Sequence, residues 1–178
     1  MKNNDINDYQ NYIDNLSSTK SSEIFLNSSR EHAVIIMSNI FKTAKEEVLI
    51  LAGDLFGGIS NQKMYWVELI NFLNRGGKLN ILLTRFEKAN IPDLFFRINQ
   101  DEYADQVKVG ILDKPVLDKQ GNEIHFTVGD KRSFRFEHDI NKFLAYGSFN
   151  SNSARDLASL FSKLQINAKP INLETVLS

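Results

Sequence analysis

The sequence has no cysteine among its 178 residues, which removes disulfides, thiol chemistry and cysteine-ligated zinc together. Its three histidines, His32, His125 and His138, include no pair at the spacing that sets two ligands on one helix face, so no metal or other cofactor is expected. No apolar run approaches the length of about 18 residues that a membrane-spanning helix needs. The polar start MKNNDINDYQ has no apolar signal-peptide core, and a cytoplasmic protein is the expectation. The formal net charge of -1 gives no global electrostatic footprint for nucleic acid, so any polyanion has to be met by a local patch. The Gly-x-Ser-x-Gly elbow of serine hydrolases is absent as well.

What the chain has is apolar periodicity: hydrophobic residues make up 42% of it, with 13 phenylalanines, enough for one domain with its own core. That domain is expected over residues 21–166, after a polar segment at 1–20 and before a tail at 167–178 that is an edge extension or disordered. Within 1–20, Ile6, Tyr9, Ile13 and Leu16 fall at helical intervals, giving an amphipathic helix that docks on the body of the domain or on a partner. A short strand at 23–27 leads to Ser28-x-x-Glu31, the form of a capping box. The helix that follows has the stripe Ala33, Ile36, Met37, Ile40 and Phe41, which leaves His32 toward its polar side as a surface residue.

Residues 47–52 and 79–84 are nearly continuously apolar, as strands covered on both faces are, and Ile50 and Leu82 belong to their buried set. The helix between them, at 61–75, makes them parallel neighbours through a right-handed crossover. It turns Trp66, Leu69, Ile70 and Leu73 inward and stops at Gly76-Gly77. The turn at 54–58, with Gly57 and Gly58, sits at the carboxyl end of the first strand, where open α/β sheets bind ligands. Its spacing matches neither the P-loop nor the dinucleotide fingerprint, and a permissive turn is the simpler reading. Pro92 and Asp93 open a further helix with Leu94, Phe95 and Ile98 inward, and a strand follows at 107–112.

The most informative stretch is 123–150. Ile124, Phe126 and Val128 alternate with His125 and Thr127, and beyond Gly129-Asp130-Lys131 the alternation resumes with Phe134 and Phe136 against Ser133, Arg135 and Glu137. This is a two-stranded hairpin; with 129–131 as its loop, Phe126 faces Phe134 and His125 faces Arg135. The phenylalanine face belongs to the core, and the opposite face is either solvated or a site. His138-Asp139 reads as a turn. A third strand at 142–146 runs into Gly147-Ser148-Phe149-Asn150, and a helix with the stripe Leu157, Leu160, Phe161 and Leu164 follows, capped by Ser153-x-x-Asp156. Its free start favours anions.

This order of parts resembles the phospholipase D-like superfamily, whose signature is a strand with His-x-Lys, an aspartate further on, and a strand ending Gly-Ser-x-Asn before a helix. His125 matches the histidine, and Gly147, Ser148 and Asn150 match the Gly-Ser-x-Asn. Thr127 stands at the lysine position and Arg132 at the aspartate position, with Asp130 two residues early, and the interval from His125 to Gly147 is longer than the family's. The resemblance covers residues 23–165 and implies an α/β fold, a mixed and mostly parallel sheet with helices on both faces.

In the family, one histidine attacks phosphorus, a second protonates the leaving oxygen, and lysines and asparagines hold the phosphate. In those terms His125 is the nucleophile or acid if the site is active, and Ser148, Asn150 and Thr127 are phosphate ligands. Arg135 substitutes for the lysine with a planar fork that grips phosphate at two points, and Glu137 orients His125 or neutralises Arg135. Because the family builds one site from two motifs and this chain has one, a homodimer or a partner chain is implied. The expected function is a phosphate- or nucleic-acid-binding or assembly subunit with little or no turnover; the alternative is an active phosphodiesterase or endonuclease that completes its site across a homodimer. His125, Arg135 and Asn150 are expected to converge on one anion-sized pocket at the helix start near 153, whereas a pure interaction surface would pair Arg135 with Glu137 in solvent and leave no cavity.

Overall fold

The computed structural model describes residues 3–55, 58–87, 93–99 and 101–177. Among the described residues there are eight strands, β1 (Phe25–Asn27), β2 (Glu47–Ala52), β3 (Lys78–Leu83), β4 (Val107–Ile111), β5 (His125–Gly129), β6 (Ser133–Asp139), β7 (Leu144–Ser148) and β8 (Lys169–Ile171). They form one mixed sheet in the order β1-β7-β6-β5-β2-β3-β4-β8. The expected parallel pairing of β2 with β3 is present and continues to β4, while the remaining neighbours are antiparallel, so parallel pairing is confined to the centre of the sheet. Ile50 and Leu82 are buried there on opposite sides, in two separate cores.

The first core lies under α1 (Asn3–Ser18), α2 (Arg30–Thr43), α3 (Lys63–Asn74) and α4 (Asp93–Ile98), and the second lies under α5 (Ser153–Gln165). Helix α1 docks on the chain's own body: Ile13 and Leu16 are buried, and the Asn39 side-chain amide of α2 donates to Asp14 Oδ1 at 2.8 Å. In α3 the buried set is Tyr65, Leu69, Phe72 and Leu73, while the expected Trp66 and Ile70 are only partly covered. Trp66 instead carries the Arg97 guanidinium 4.3 Å from its ring centroid. Gly76 ends α3 in the left-handed region at φ 84, where glycine carries no Cβ penalty. Leu94, Phe95 and Ile98 face inward from α4; Pro92, the expected opener of that helix, and Gly57 lie outside the described residues. In the tail, β8 pairs antiparallel with β4, and α6 (Leu173–Leu177) follows.

Three local expectations are corrected. The hairpin loop is 130–132, with Asp130 and Lys131 both at positive φ, so His125 faces Glu137, Thr127 faces Arg135 and Phe126 faces Phe136. The slip is an even one, so each residue keeps its face. Asp130 fixes this turn by accepting the backbone N–H groups of Lys45, Glu46 and Glu47 at 2.8, 2.9 and 3.0 Å. Ser29, not Ser28, caps α2, with its hydroxyl accepting from the His32 N–H at 3.1 Å. His138 and Asp139 complete β6, and Asp139 then caps the short 3-10 turn at 140–142.

His32 is also buried, against expectation. Helix α1 lies over what periodicity assigns to the polar side of α2, so every residue from His32 to Phe41 is covered, and the imidazole stacks on Tyr9 with centroids 3.6 Å apart. Its Nε2 has no partner, and burial lowers the imidazole pKa despite the neighbouring Glu31. A histidine with a depressed folded-state pKa contributes stability that is complete above the ordinary imidazole value of about 6.5 and is lost as pH falls below it. The urea-unfolding midpoint should therefore drop between about pH 7.5 and 5.5, and His32→Phe, which keeps the stack on Tyr9, should flatten the drop. Equal slopes in both proteins would refute a role for His32.

Candidate functional site

The inward polar residues of β5 and β6 meet the carboxyl ends of β2 and β3 at one edge of the sheet. His125 opens β5 and pairs with Glu137 across the ladder, and the next residue, Phe126, pairs with Leu51 of β2. Thr84 and Arg85 directly follow β3, and Gly53 directly follows β2. A Cβ on Gly53 would overlap the Arg85 guanidinium, so glycine lets that arginine lie across the strand end. The space enclosed is a cavity of about 530 Å3, lined among others by Arg30, Tyr65, Arg85, His125, Thr127 and Arg135. This lies within the roughly 300–1,000 Å3 common for ligand pockets.

The floor is a buried charge network. Arg135 Nη2 donates to Glu137 Oε1 at 2.7 Å and its Nε donates to Asn27 Oδ1 of β1 at 2.9 Å, and both charged side chains are almost fully covered. Burial alone would raise the Glu137 carboxyl, but its contact with His125 and the charge and hydrogen bond of Arg135 outweigh that and hold it below the usual carboxylate value. Arg135 and Glu137 thus pair as an interaction surface predicts, but buried and beneath a cavity. Thr127 is covered too, and the Tyr65 hydroxyl is buried without a partner.

Above the floor, His125 stands between two carboxylates. Its Nδ1 is 3.5 Å from Glu137 Oε2 and its Nε2 is 3.1 Å from Glu123 Oε1. A neutral imidazole has one N–H and can donate to only one of them, so both contacts are hydrogen bonds only when the ring carries two protons. Glu123 is itself held by Arg85, whose Nη1 is 2.9 Å from each carboxylate oxygen, and by the Thr84 hydroxyl at 3.0 Å. Partial burial raises the Glu123 carboxyl, and hydrogen bonds from Arg85, His125 and Thr84 overcome this and lower it.

Of the residues singled out in the sequence, His125, Thr127, Arg135 and Glu137 come together, but Ser148 and Asn150 do not join them. The long interval between His125 and Gly147 is a whole extra strand: β6 returns toward His125, and β7 runs away again, so Ser148 pairs with Phe134 while His125 lies level with Ala145. Ser148 is fully buried and donates to the Ser21 carbonyl. The α5 start sits at the same far end, where the Ser151 N–H donates to the Arg132 carbonyl, and its N-cap is Asn152 without a side-chain bond, not the expected Ser153 box. Four residues of extended chain, roughly 13 Å, thus separate the two ends, and the single anion pocket of His125, Arg135 and Asn150 is not formed. Arg85, Glu123, Thr84 and Asn27 are the site residues that sequence reading missed. The position of Thr84-Arg85 at the end of a parallel strand, the edge already marked by 54–58, was the available signal. Among the described residues, no cluster of three or more histidine, cysteine or acidic side chains could hold a metal ion, and no helix is long and apolar enough to cross a membrane.

An α/β domain with a cavity at the carboxyl edge of its parallel strands is thereby defined, and solved structures share its fold. TrmBL2, an archaeal chromatin protein with a described mode of DNA binding, matches with a TM-score of 0.59 and 16% identity over 93% of this chain, which spans 61% of TrmBL2. NucT from Helicobacter pylori matches with a TM-score of 0.56 and 15% identity, over 84% of this chain and 99% of NucT. Nuc from Salmonella typhimurium, a phospholipase D family member, matches with a TM-score of 0.56 and 12% identity, over 84% of this chain and 98% of Nuc. No family profile and no curated protein sequence matches the chain. The chain has the phospholipase D-like fold.

The two arginines of this edge should separate cleanly on substitution. Arg135→Met leaves Glu137 buried without its partner and should cost about 3–5 kcal/mol of stability. Arg85→Ala removes a half-exposed group and should cost no more than about 1 kcal/mol. Urea unfolding of both variants measures this, and equal losses would contradict the assignment of Arg135 to the floor and Arg85 to the mouth.

Proposed function

We propose that this domain binds a phosphate-bearing ligand, a nucleic acid in the first instance, at the cavity beside His125 and turns it over little or not at all. The observation that carries this reading is the setting of His125: each ring nitrogen faces a carboxylate, and the neighbouring inward position is the buried, uncharged Thr127. A histidine that attacks phosphorus needs one nitrogen free to do so and cations to hold the phosphate. Here Nε2 faces Glu123 in the free protein, and the inner cation that would hold a phosphate against an attacking imidazole is missing, because Thr127 is uncharged and the buried Arg135 is spent on Glu137 and Asn27. Cationic side chains still reach the cavity mouth, with Arg30 and Arg85 exposed there, and phosphate groups are gripped by arginine forks of this kind. DNA binding by TrmBL2, on the same fold, favours a nucleic acid over other phosphoesters.

The reading includes self-association through the face of the 123–150 segment. Tyr146 of β7 and Leu26 of β1 are opposite each other and exposed, with Phe136 partly covered beside Tyr146. Sedimentation or light scattering that gives a monomer at every concentration would remove this element without touching the binding site.

The binding claim is tested with a fluorescent single-stranded oligonucleotide. Arg85→Ala should weaken its binding and lower the slope of log affinity against log salt by about one unit, the signature of one lost phosphate contact. Unchanged affinity and slope would contradict the claim. Steady hydrolysis of the oligonucleotide by the unaltered protein, abolished by His125→Ala, would establish the active phosphodiesterase instead.

A further inference from the structure

Glu123 is held by more donors than its own ion pair requires. Its Oε1 receives the Thr84 hydroxyl at 3.0 Å and Arg85 Nη1 at 2.9 Å and lies 3.1 Å from His125 Nε2, and its Oε2 is 2.9 Å from the same Arg85 nitrogen. One guanidinium nitrogen, a hydroxyl and an imidazole nitrogen converging on one anionic group make a set suited to a phosphate, whose oxygens accept from all three when Nε2 carries its proton. The donors sit on the two residues that follow β3 and on the first residue of β5, whereas the acceptor lies two residues before His125, outside the strand. Glu123 follows the irregular segment 112–122, tied down near it by the Leu117–Glu123 bridge and the bond from the Ile124 N–H to the Val116 carbonyl. Its side chain is 21% exposed, so it can swing into solvent about its own torsions with the backbone in place.

We propose that Thr84, Arg85 and His125 Nε2 form a phosphate site in which the Glu123 carboxylate stands in for the ligand, and that a phosphate ester binds by displacing it. The inference rests on the proposed phosphate-binding reading and adds to it the donor set, the identity of the internal competitor and the order of events. Exchange replaces one negative charge by one or two, so Arg85 loses no neutralisation when Glu123 leaves. An attached competitor acts at an effective concentration of about millimolar or more; the unaltered protein is therefore a weak phosphate binder by construction, and its His125 is covered until a ligand arrives.

Calorimetric titration with inorganic phosphate and with methyl phosphate tests this on the full chain. Glu123→Gln should tighten both by about tenfold or more, the equivalent of one charge-assisted hydrogen bond no longer competed for. Glu123→Asp, with its carboxylate drawn back by one methylene, should tighten them less, and it serves as the readout if the glutamine variant fails to fold. Glu46→Gln makes the same change in net charge at the other end of β2, where Glu46 is exposed, and should leave affinity unchanged. Weaker or unaltered binding in both Glu123 variants, with Arg85→Ala still weakening binding, overturns the displacement and leaves the phosphate-binding reading intact. An equal gain from Glu46→Gln overturns it as a general charge effect. Phosphate affinity left undiminished by Arg85→Ala overturns the site and the reading together.

Discussion

The buried pair of Arg135 and Glu137 is the constraint on which the rest of this edge depends. A charge taken out of water is tolerated only when partners satisfy it, and breaking such a pair costs more than never having built it. Here the partners come from separate parts of the chain: Asn27 from β1, and Glu137 and Arg135 from β6, with His125 of β5 against the far oxygen of Glu137. The network therefore sets the depth of the cavity floor and the position of the imidazole at once. It also consumes the guanidinium that a reading of the sequence would assign to the ligand, and under the proposed function the anion-binding role moves outward to Arg85 and Arg30, which line the cavity.

Helix α1 contributes to the same construction from above. Its docking covers the second face of α2, and its Tyr9 stacks on His32 while donating to the Leu26 carbonyl of β1. The first strand is only three residues long and paired on one side, so this cover helps to hold Asn27 where Arg135 needs it. Burial of His32 without a partner for Nε2 is the cost of that arrangement, and it gives the α1–α2 contact an acid sensitivity that the carboxylates of the site, lowered below their ordinary value, do not share in the same pH range.

Much of the fold was legible because it is written in local periodicity. The continuous apolar runs at 47–52 and 79–84, the helix between them and its glycine stop are each determined within a dozen residues, and the hairpin faces survive a misjudged loop because the slip is even. The site was legible only in part. Alternation correctly groups His125, Thr127, Arg135 and Glu137 on one face, but it says nothing of whether that face is wet. The position of Ser148 and Asn150 depends on how many strands separate them from His125, and a motif matched residue by residue does not count strands. Arg85 and Glu123 were invisible for a related reason: their partnership spans 38 residues and exists only because β3 and β5 both flank β2. His32 escaped because a helix from outside the expected domain body covers it.

The central claim is the proposal that His125 lies beneath an anion site and contacts a ligand phosphate without forming a bond to it. Nitrogen NMR of the His125 imidazole during titration with a phosphodiester dinucleotide, followed in parallel by phosphorus NMR, addresses this most directly. The account predicts a saturable, fully reversible shift of the Nε2 resonance as phosphate takes the place of Glu123, a smaller change at Nδ1, which stays against Glu137, and intact dinucleotide at the end. A phosphorus–nitrogen signal from phosphohistidine together with released nucleoside, or no response of either ring nitrogen at saturating ligand, would contradict it.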